Sequence, residues 1–344
     1  MSRDASKRGT PTRLFRHSGV VECEVDDRQD LTTEKRAFLS LAMMKGVGFH
    51  TLWQIAESQR SFQSVFNSSE EDLVQLLKSR GARLPNSSKA DWKEIMSSLA
   101  RSVDQLEATF QASQIQIVLR SDESYPRTLL HLDDPPHWLF VQGNTEVLTA
   151  PSIAIVGTRD PSPEGLWLAE YVGLTLRHWG RPTVSGLALG IDQAIHNASL
   201  AAKVPTIAVL GTGITVDYPK NIGPIRKKIV DAGGAVITEY LPGESYSAIN
   251  FVRRNRLQAA LARALIPVQW KERSGTAHTV RYAAGLGRAI AGLRLPTWDR
   301  RSINLPDGRG PRHVFTVPGQ DEAFRAFVEK SLSDDLLYRQ TSFL

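Results

Sequence analysis

Apolar residues recur at helical spacing from Leu31 onward: Ala37, Phe38, Leu41, Ala42 and Met44 mark one stripe, with Thr33 placed to cap it. Lys45-Gly-Val-Gly48 breaks the stripe, and Leu52, Ile55 and Ala56 resume it. Further helical periodicity over 70–77 and 92–110 makes residues 31–110 a small all-helical domain. Beyond Ile115 the pattern changes. Past the apolar run 115–119, short apolar runs at 138–142, 152–157, 182–185, 206–210, 235–238, 265–269 and 287–292 predict strands, most of them separated by helix-length segments. Buried strands joined by crossover helices predict an α/β fold with a mostly parallel sheet and helices on both faces, over residues 111–320. Residues 1–30, rich in Arg, Ser, Gly and Pro and then in acids, have little to bury and predict a disordered tail. Residues 321–344 predict a helix and a tail.

Composition narrows the class. At 344 residues, 41% apolar and 23% charged, the chain reads as an ordinary globular protein of about two domains. No apolar run approaches the roughly 20 residues that span a bilayer, which predicts a cytoplasmic protein with no membrane partner. One cysteine, Cys23, excludes an internal disulfide, and with 8 scattered His it makes no zinc site. Asp192 and His196 share a helix face, but two ligands do not hold a metal. Net charge is only +6, yet 13 Arg or Lys against 3 acids fall between Phe251 and Val314, so the remainder is net negative. Such concentration suits a polyanion surface, or alternatively solvated helix faces.

The candidate chemistry sits in three glycine-bearing loops at strand ends: Gly157-Thr158-Arg159, Ser185-Gly186 with Gly190, and Gly211-Thr212-Gly213. In α/β sheets ligands bind outside the carboxyl ends of strands, and an Arg beside a Gly there suits an anion. Arg159 is expected to grip a phosphate, helped by the N–H groups of Gly157 and Thr158. Gly186 and Gly190 either admit a ligand or pack helix against strand. Gly46-Val47-Gly48 between two helices resembles a helix-hairpin-helix of the SAM-like kind, whose N–H groups hold phosphate; C-cap chemistry explains the glycines equally.

One series of motifs carries a family resemblance: Tyr125-Pro, Asp134-Pro-Pro136, Ile155-Val-Gly-Thr-Arg159, Ser185-Gly-Leu-Ala-Leu-Gly-Ile-Asp192, Ala208-Val-Leu-Gly-Thr-Gly213, Tyr218-Pro219, Glu239-Tyr240, Phe251-Val-Arg-Arg-Asn-Arg256, Ser274-Gly275 and Val317-Pro-Gly319. Over about residues 120–320 the chain resembles the DNA-processing protein A (DprA/Smf) family. The resemblance implies an extended Rossmann-like fold that binds single-stranded DNA, hands it to the recombinase RecA, works as a homodimer and carries neither cofactor nor catalytic group. Physical reading agrees, since single strands need a basic groove plus aromatic faces. Arg253, Arg254 and Arg256 are candidate phosphate contacts, one of them alternatively an ion-pair partner of an acid; Phe251 is a stacking ring or a core residue, and Asn255 a base-edge contact or backbone cap. Lys220 and the Ser274-Gly275-Thr276 turn complete the candidate set.

Three departures accompany the resemblance. An insertion at about 293–312 carries Trp298 with Arg294, Arg300, Arg301 and Arg309, a composition suited to nucleic acid or another partner. Pro267-Val-Gln-Trp270 and Thr276-Ala-His-Thr279 replace commoner residues. The segment after Gly319 suits a helix over 321–331 rather than the winged-helix domain many members carry. Such divergence is compatible with transformation, recombination or phage defence.

Two rival classes follow from the same loops. A nucleotide sensor would use Gly157, Arg159, Gly186 and Gly211 to Gly213 for a single phosphate. A phosphoribohydrolase needs a Pro-Gly-Gly-x-Gly-Thr loop and a Glu, whereas this chain has Arg273-Ser-Gly-Thr-Ala277; an Arg-rich loop does not stabilise a developing cation. Neither G-x-G-x-x-G, a P-loop nor G-x-S-x-G is present.

Overall fold

The computed structural model describes residues 32–85, 88–299, 301 and 303–333. The expected disordered segment 1–30, the last part of the expected tail and Arg300 lie outside them.

Among the described residues five α-helices come first: α1 (Thr33–Met43), α2 (Phe49–Glu57), α3 (Phe62–Phe66), α4 (Glu70–Ser79) and α5 (Lys89–Ala112). Thr33 is the first residue of α1 rather than its cap, and Thr32 ahead of it makes no side-chain capping bond. Glu34 turns instead to α3, accepting from the N–H groups of Phe62 at 2.7 Å and Gln63 at 2.9 Å. A carboxylate at a helix start satisfies two orphan donors there, which explains how so short a helix holds. Phe38 lies among Phe62, Trp138 and Phe140, so the α1 stripe is pinned to the sheet. In the predicted hairpin Gly46 has φ +89° and its missing Cβ leaves room for the Arg83 carbonyl. The helix itself ends at Met44 in extended backbone, and Gly46 is the left-handed corner of a turn closed by the Val47 N–H on the Met44 carbonyl at 3.0 Å.

The sheet has nine strands: β1 (Ile115–Leu119), β2 (Trp138–Gly143), β3 (Ser152–Val156), β4 (Thr183–Ser185), β5 (Thr206–Val209), β6 (Ala235–Thr238), β7 (Ala262–Pro267), β8 (Ala289–Arg294) and β9 (Arg312–Thr316). Their order is β1-β2-β6-β5-β4-β3-β7-β8-β9. Only the β1–β2 and β2–β6 pairs are antiparallel. The expected mostly parallel sheet is therefore present, with an antiparallel edge.

Among the described residues six further α-helices follow: α6 (Pro163–Trp179), α7 (Ile191–Ala201), α8 (Gly223–Asp231), α9 (Ala248–Leu261), α10 (Gly275–Gly285) and α11 (Asp321–Ser333). Alternate residues of β3 divide between two cores: Ile153 and Ile155 pack with α6, α7 and α11, while Ala154 and Val156 pack with α9 and α10. That alternation is what a sheet covered on both faces requires. Chain order runs β3 to β6 in one direction and β7 to β9 in the other, so the crevice between the carboxyl ends of β3 and β7 is a topological switch point.

The insertion is the crossover that returns the chain from β8 to the parallel β9. Trp298 packs against the α6 core, and its indole N–H donates to Glu164 at 2.9 Å. The ring expected to serve a nucleic-acid or partner surface is thus half-buried and fastens the crossover to α6.

Candidate functional site

At the switch point β3 ends in Gly157-Thr158-Arg159, and a cleft of about 550 Å³ opens between this loop, α9 and the first turns of α7 and α10. Helix α9 starts cleanly because Ser247 accepts from the Asn250 N–H at 3.0 Å. Its residues Phe251, Arg254, Asn255 and Gln258 recur at helical spacing and line the cleft; Ser274, Gly275 and Thr276 line the opposite wall.

The mouth is cationic and aromatic. The exposed Arg159 guanidinium lies 4.9 Å from the centroid of the Phe251 ring. Tyr218 sits 5.2 Å from Phe251 and stacks on Tyr246 at 4.1 Å. Tyr246 is 55% exposed, so a flat ring remains open to solvent beside a free cation. Neither tyrosine stood among the candidate residues. Tyr218 was visible only as part of a Tyr-Pro motif, and Tyr246 lies in a loop without periodicity.

Deeper in, the Arg254 guanidinium donates to the Gly186 carbonyl at 2.8 Å, to the Val209 carbonyl, and to Asn255 Oδ1 at 3.0 Å. Burial pushes its pKa down to about 10, with the nearby Asp192 opposing that shift. Asp192 is itself buried, which raises its carboxyl, although it accepts from the Gly186 N–H at 3.1 Å. A Cβ on Gly186 would meet the Arg254 guanidinium at 2.2–2.4 Å, so a larger residue would displace that group. Gly190 has φ +80° and abuts the carbonyls of Thr158 and Arg159. Of the two alternatives for these glycines, close packing is the one the geometry supports.

Other candidates are corrected. Ser185 is fully buried and donates to the Ile155 carbonyl at 2.7 Å, so no ligand reaches it. The Thr158 N–H is spent on the Gln269 carbonyl at 2.8 Å, which leaves it unable to assist Arg159. Thr212 is 2% exposed and bonded to the Val216 carbonyl. Gly211 lies beneath the Phe251 ring, and Gly213 packs against the carbonyls of Leu241 and Pro242. Lys220 is exposed on its loop but does not line the cleft. Asn255 Nδ2 donates to the Gly275 carbonyl at 3.0 Å, joining α9 to α10. The Thr276 hydroxyl donates to the Gly157 carbonyl at 2.9 Å.

The largest correction concerns Arg253 and Arg256. Both lie on the side of α9 away from the cleft. Arg256, 2% exposed, meets both oxygens of Glu239 at 2.7 and 2.8 Å and Asp134 at 2.8 Å. Burial works against its charge, and Glu239 with Asp134 outweighs it, so the pKa is raised. Arg253 is 3.3 Å from Asp134 and rests over the rings of Phe49 and Trp53. The Arg256 guanidinium is fully engaged within the protein, while that of Arg253 is paired at one edge and its side chain stays 35% exposed; neither lines the cleft, so neither is placed for the phosphate contact expected of it there.

A mostly parallel, doubly covered sheet with a cationic and aromatic cleft at its switch point defines a Rossmann-like fold. The chain belongs to the DNA recombination-mediator protein A family, whose model matches residues 116–303. It is 40% identical over 172 residues to the DNA processing protein DprA of Streptococcus pneumoniae, covering 49% of this chain and 59% of that protein. Protein Smf of Escherichia coli K12 is 34% identical over 199 residues, 57% of this chain and 50% of its own. The matched stretch thus spans only about half of these curated relatives. The X-ray structure of DprA from Streptococcus pneumoniae superposes with a TM-score of 0.55 at 27% identity, over 85% of this chain and 97% of that one. A structure of DNA processing protein A from Helicobacter pylori, described for its single-stranded DNA binding mode, gives a TM-score of 0.52 at 26% identity, over 63% of this chain and 96% of that one. Among the described residues no helix is long and apolar enough to cross a membrane.

Proposed function

We propose that the chain binds single-stranded DNA at the switch-point cleft with little sequence preference, as a step in DNA processing and recombination. The observation that carries this reading is the mouth of the cleft, where Arg159 over Phe251 adjoins the Tyr218–Tyr246 stack. A free guanidinium holds a phosphate while rings receive bases, and neither needs a catalytic group. Among the described residues lining the cleft Asp192 is the sole carboxylate, and it is buried against the Gly186 N–H. That supports binding over hydrolysis, because the carboxylate faces inward rather than toward a reacting sugar. Handing the strand to RecA, and doing so as a cytoplasmic homodimer, are the parts of this proposal that rest on family membership alone.

The cleft volume also fits a mononucleotide, which sustains the sensor as a second reading. Titrating oligonucleotides of increasing length against mononucleotides separates the two. A DNA-binding cleft requires affinity that rises with length and falls with salt, by roughly 0.7 log units per log unit of salt for each phosphate neutralised. Equal affinity for a mononucleotide and a long strand, with a flat salt dependence, rejects it.

A further inference from the structure

We propose that the floor of the cleft is a subsite for a single nucleobase, in which the Gln258 carboxamide donates to an acceptor on the edge of a base turned out of the bound strand. This rests on the cleft being the DNA-binding site and adds to it a base contact below the mouth. Gln258 is seven residues beyond Phe251 on α9, which sets it about 10 Å further along the helix axis. It lines the cleft although it is only 2% exposed. Its Oε1 accepts from the Thr279 hydroxyl at 3.5 Å, while its Nε2 has no partner. A buried amide N–H without an acceptor is costly and uncommon, and this one stands at the wall of a cavity rather than inside a packed core.

The neighbouring polar groups are already engaged. Arg254, Asn255 and Thr276 all donate to acceptors within the protein. Val156 and Val252 add apolar surface to the same cleft. An uncharged donor between apolar walls is a poor partner for a phosphate, which Arg159 serves better at the mouth. It suits a flat, largely apolar ring with an acceptor on its rim, and the thymine keto oxygens are such acceptors. Unstacked bases of a single strand are free to turn into such a pocket without breaking pairs.

The test compares an oligo-dT strand with an abasic deoxyribose-phosphate strand of the same length, by fluorescence anisotropy at fixed salt. Wild type should bind oligo-dT more tightly. Gln258→Leu should weaken oligo-dT binding roughly three- to tenfold, the effect of one hydrogen bond, and leave the abasic strand unchanged. Equal weakening on both strands, or none on oligo-dT, overturns the subsite. Arg159→Ala keeps the two readings distinguishable. If it weakens binding of both strands, the cleft is the DNA site whatever Gln258 does; if it changes neither, the cleft reading itself fails. Should the Gln258 variant not fold, the side-chain amide resonance of Gln258 in the wild type decides the matter. A shift on adding oligo-dT and none with the abasic strand supports the subsite, and any other pattern overturns it.

Discussion

Arg254 and Arg256 stand two residues apart on α9 and are equally withdrawn from solvent, at 4% and 2% exposure, but they face opposite surroundings. On one side Arg253 and Arg256 meet Asp134 and Glu239, two cations against two carboxylates, with the Arg256–Glu239 pair buried at the centre. On the other, Arg254 is held by the carbonyls of Gly186 and Val209 with Asp192 nearby, and the exposed Arg159 opens onto the cleft. One side therefore joins α9 to β6 and to the segment before β2, and the other retains positive charge for a ligand. A run of arginines counts as a polyanion surface only after its internal carboxylates are subtracted.

The comparison breaks most visibly at Arg256. Arg256→Ala leaves Glu239, 1% exposed, as a buried charge short of its main partner, and a loss of about 3–5 kcal/mol in stability is expected. Thermal melting should fall sharply while the folded fraction binds DNA normally. Near-normal melting with lost binding would move Arg256 to the DNA side.

Arg159→Ala tests the open side. It removes an exposed cation that supports no core, so melting should hold while DNA affinity falls by roughly 1.5–3 kcal/mol. The salt slope should shrink by about 0.7 if one phosphate contact is lost. Unchanged affinity in an equilibrium titration would separate the cleft from DNA altogether.

Phe251→Ala sharpens the distinction between charge and stacking. Removing the ring should weaken binding by about 1–3 kcal/mol with the salt slope preserved. A much lower melting temperature and normal binding would assign the ring to support of the Gly211 turn beneath it.

The smallest expected effect reports on the buried ground behind Arg254. His196 is fully buried, its Nδ1 2.8 Å from the Thr206 hydroxyl. Burial first and the Arg254 charge second push its pKa down to about 3. Between the ordinary histidine value near 6.5 and that value the unfolded chain binds a proton that the native protein refuses. Acidification through this window should therefore destabilise, by up to about 1.4 kcal/mol per pH unit. Melting of wild type and His196→Asn from pH 7 to 5 should show a shallower acid slope in the variant; parallel slopes would mean that His196 takes up a proton while folded.

The strands were legible because each is a short apolar run of fixed period, and the glycine turns marked where most of them end. Three features escaped. Helix α9 passes directly into β7 at Ala262, with no turn residue at the junction, so the strand begins three residues before its predicted start. Strand β9 carries Arg312 and His313 and lacks a continuous apolar run. Helix α3 has five residues, too few to show a period.

For the site, the chain by itself determined that Arg159 stands at a strand end and that Phe251 lies beside an Arg-rich string. Only the tertiary structure decided which side of α9 opens to a ligand. Helical periodicity fixes angles about an axis but not what each angle meets. The carboxylates that close off Arg256 arrive from Asp134 and Glu239, 122 and 17 residues away along the chain, and their approach depends on the sheet order that brings β2 and β6 together.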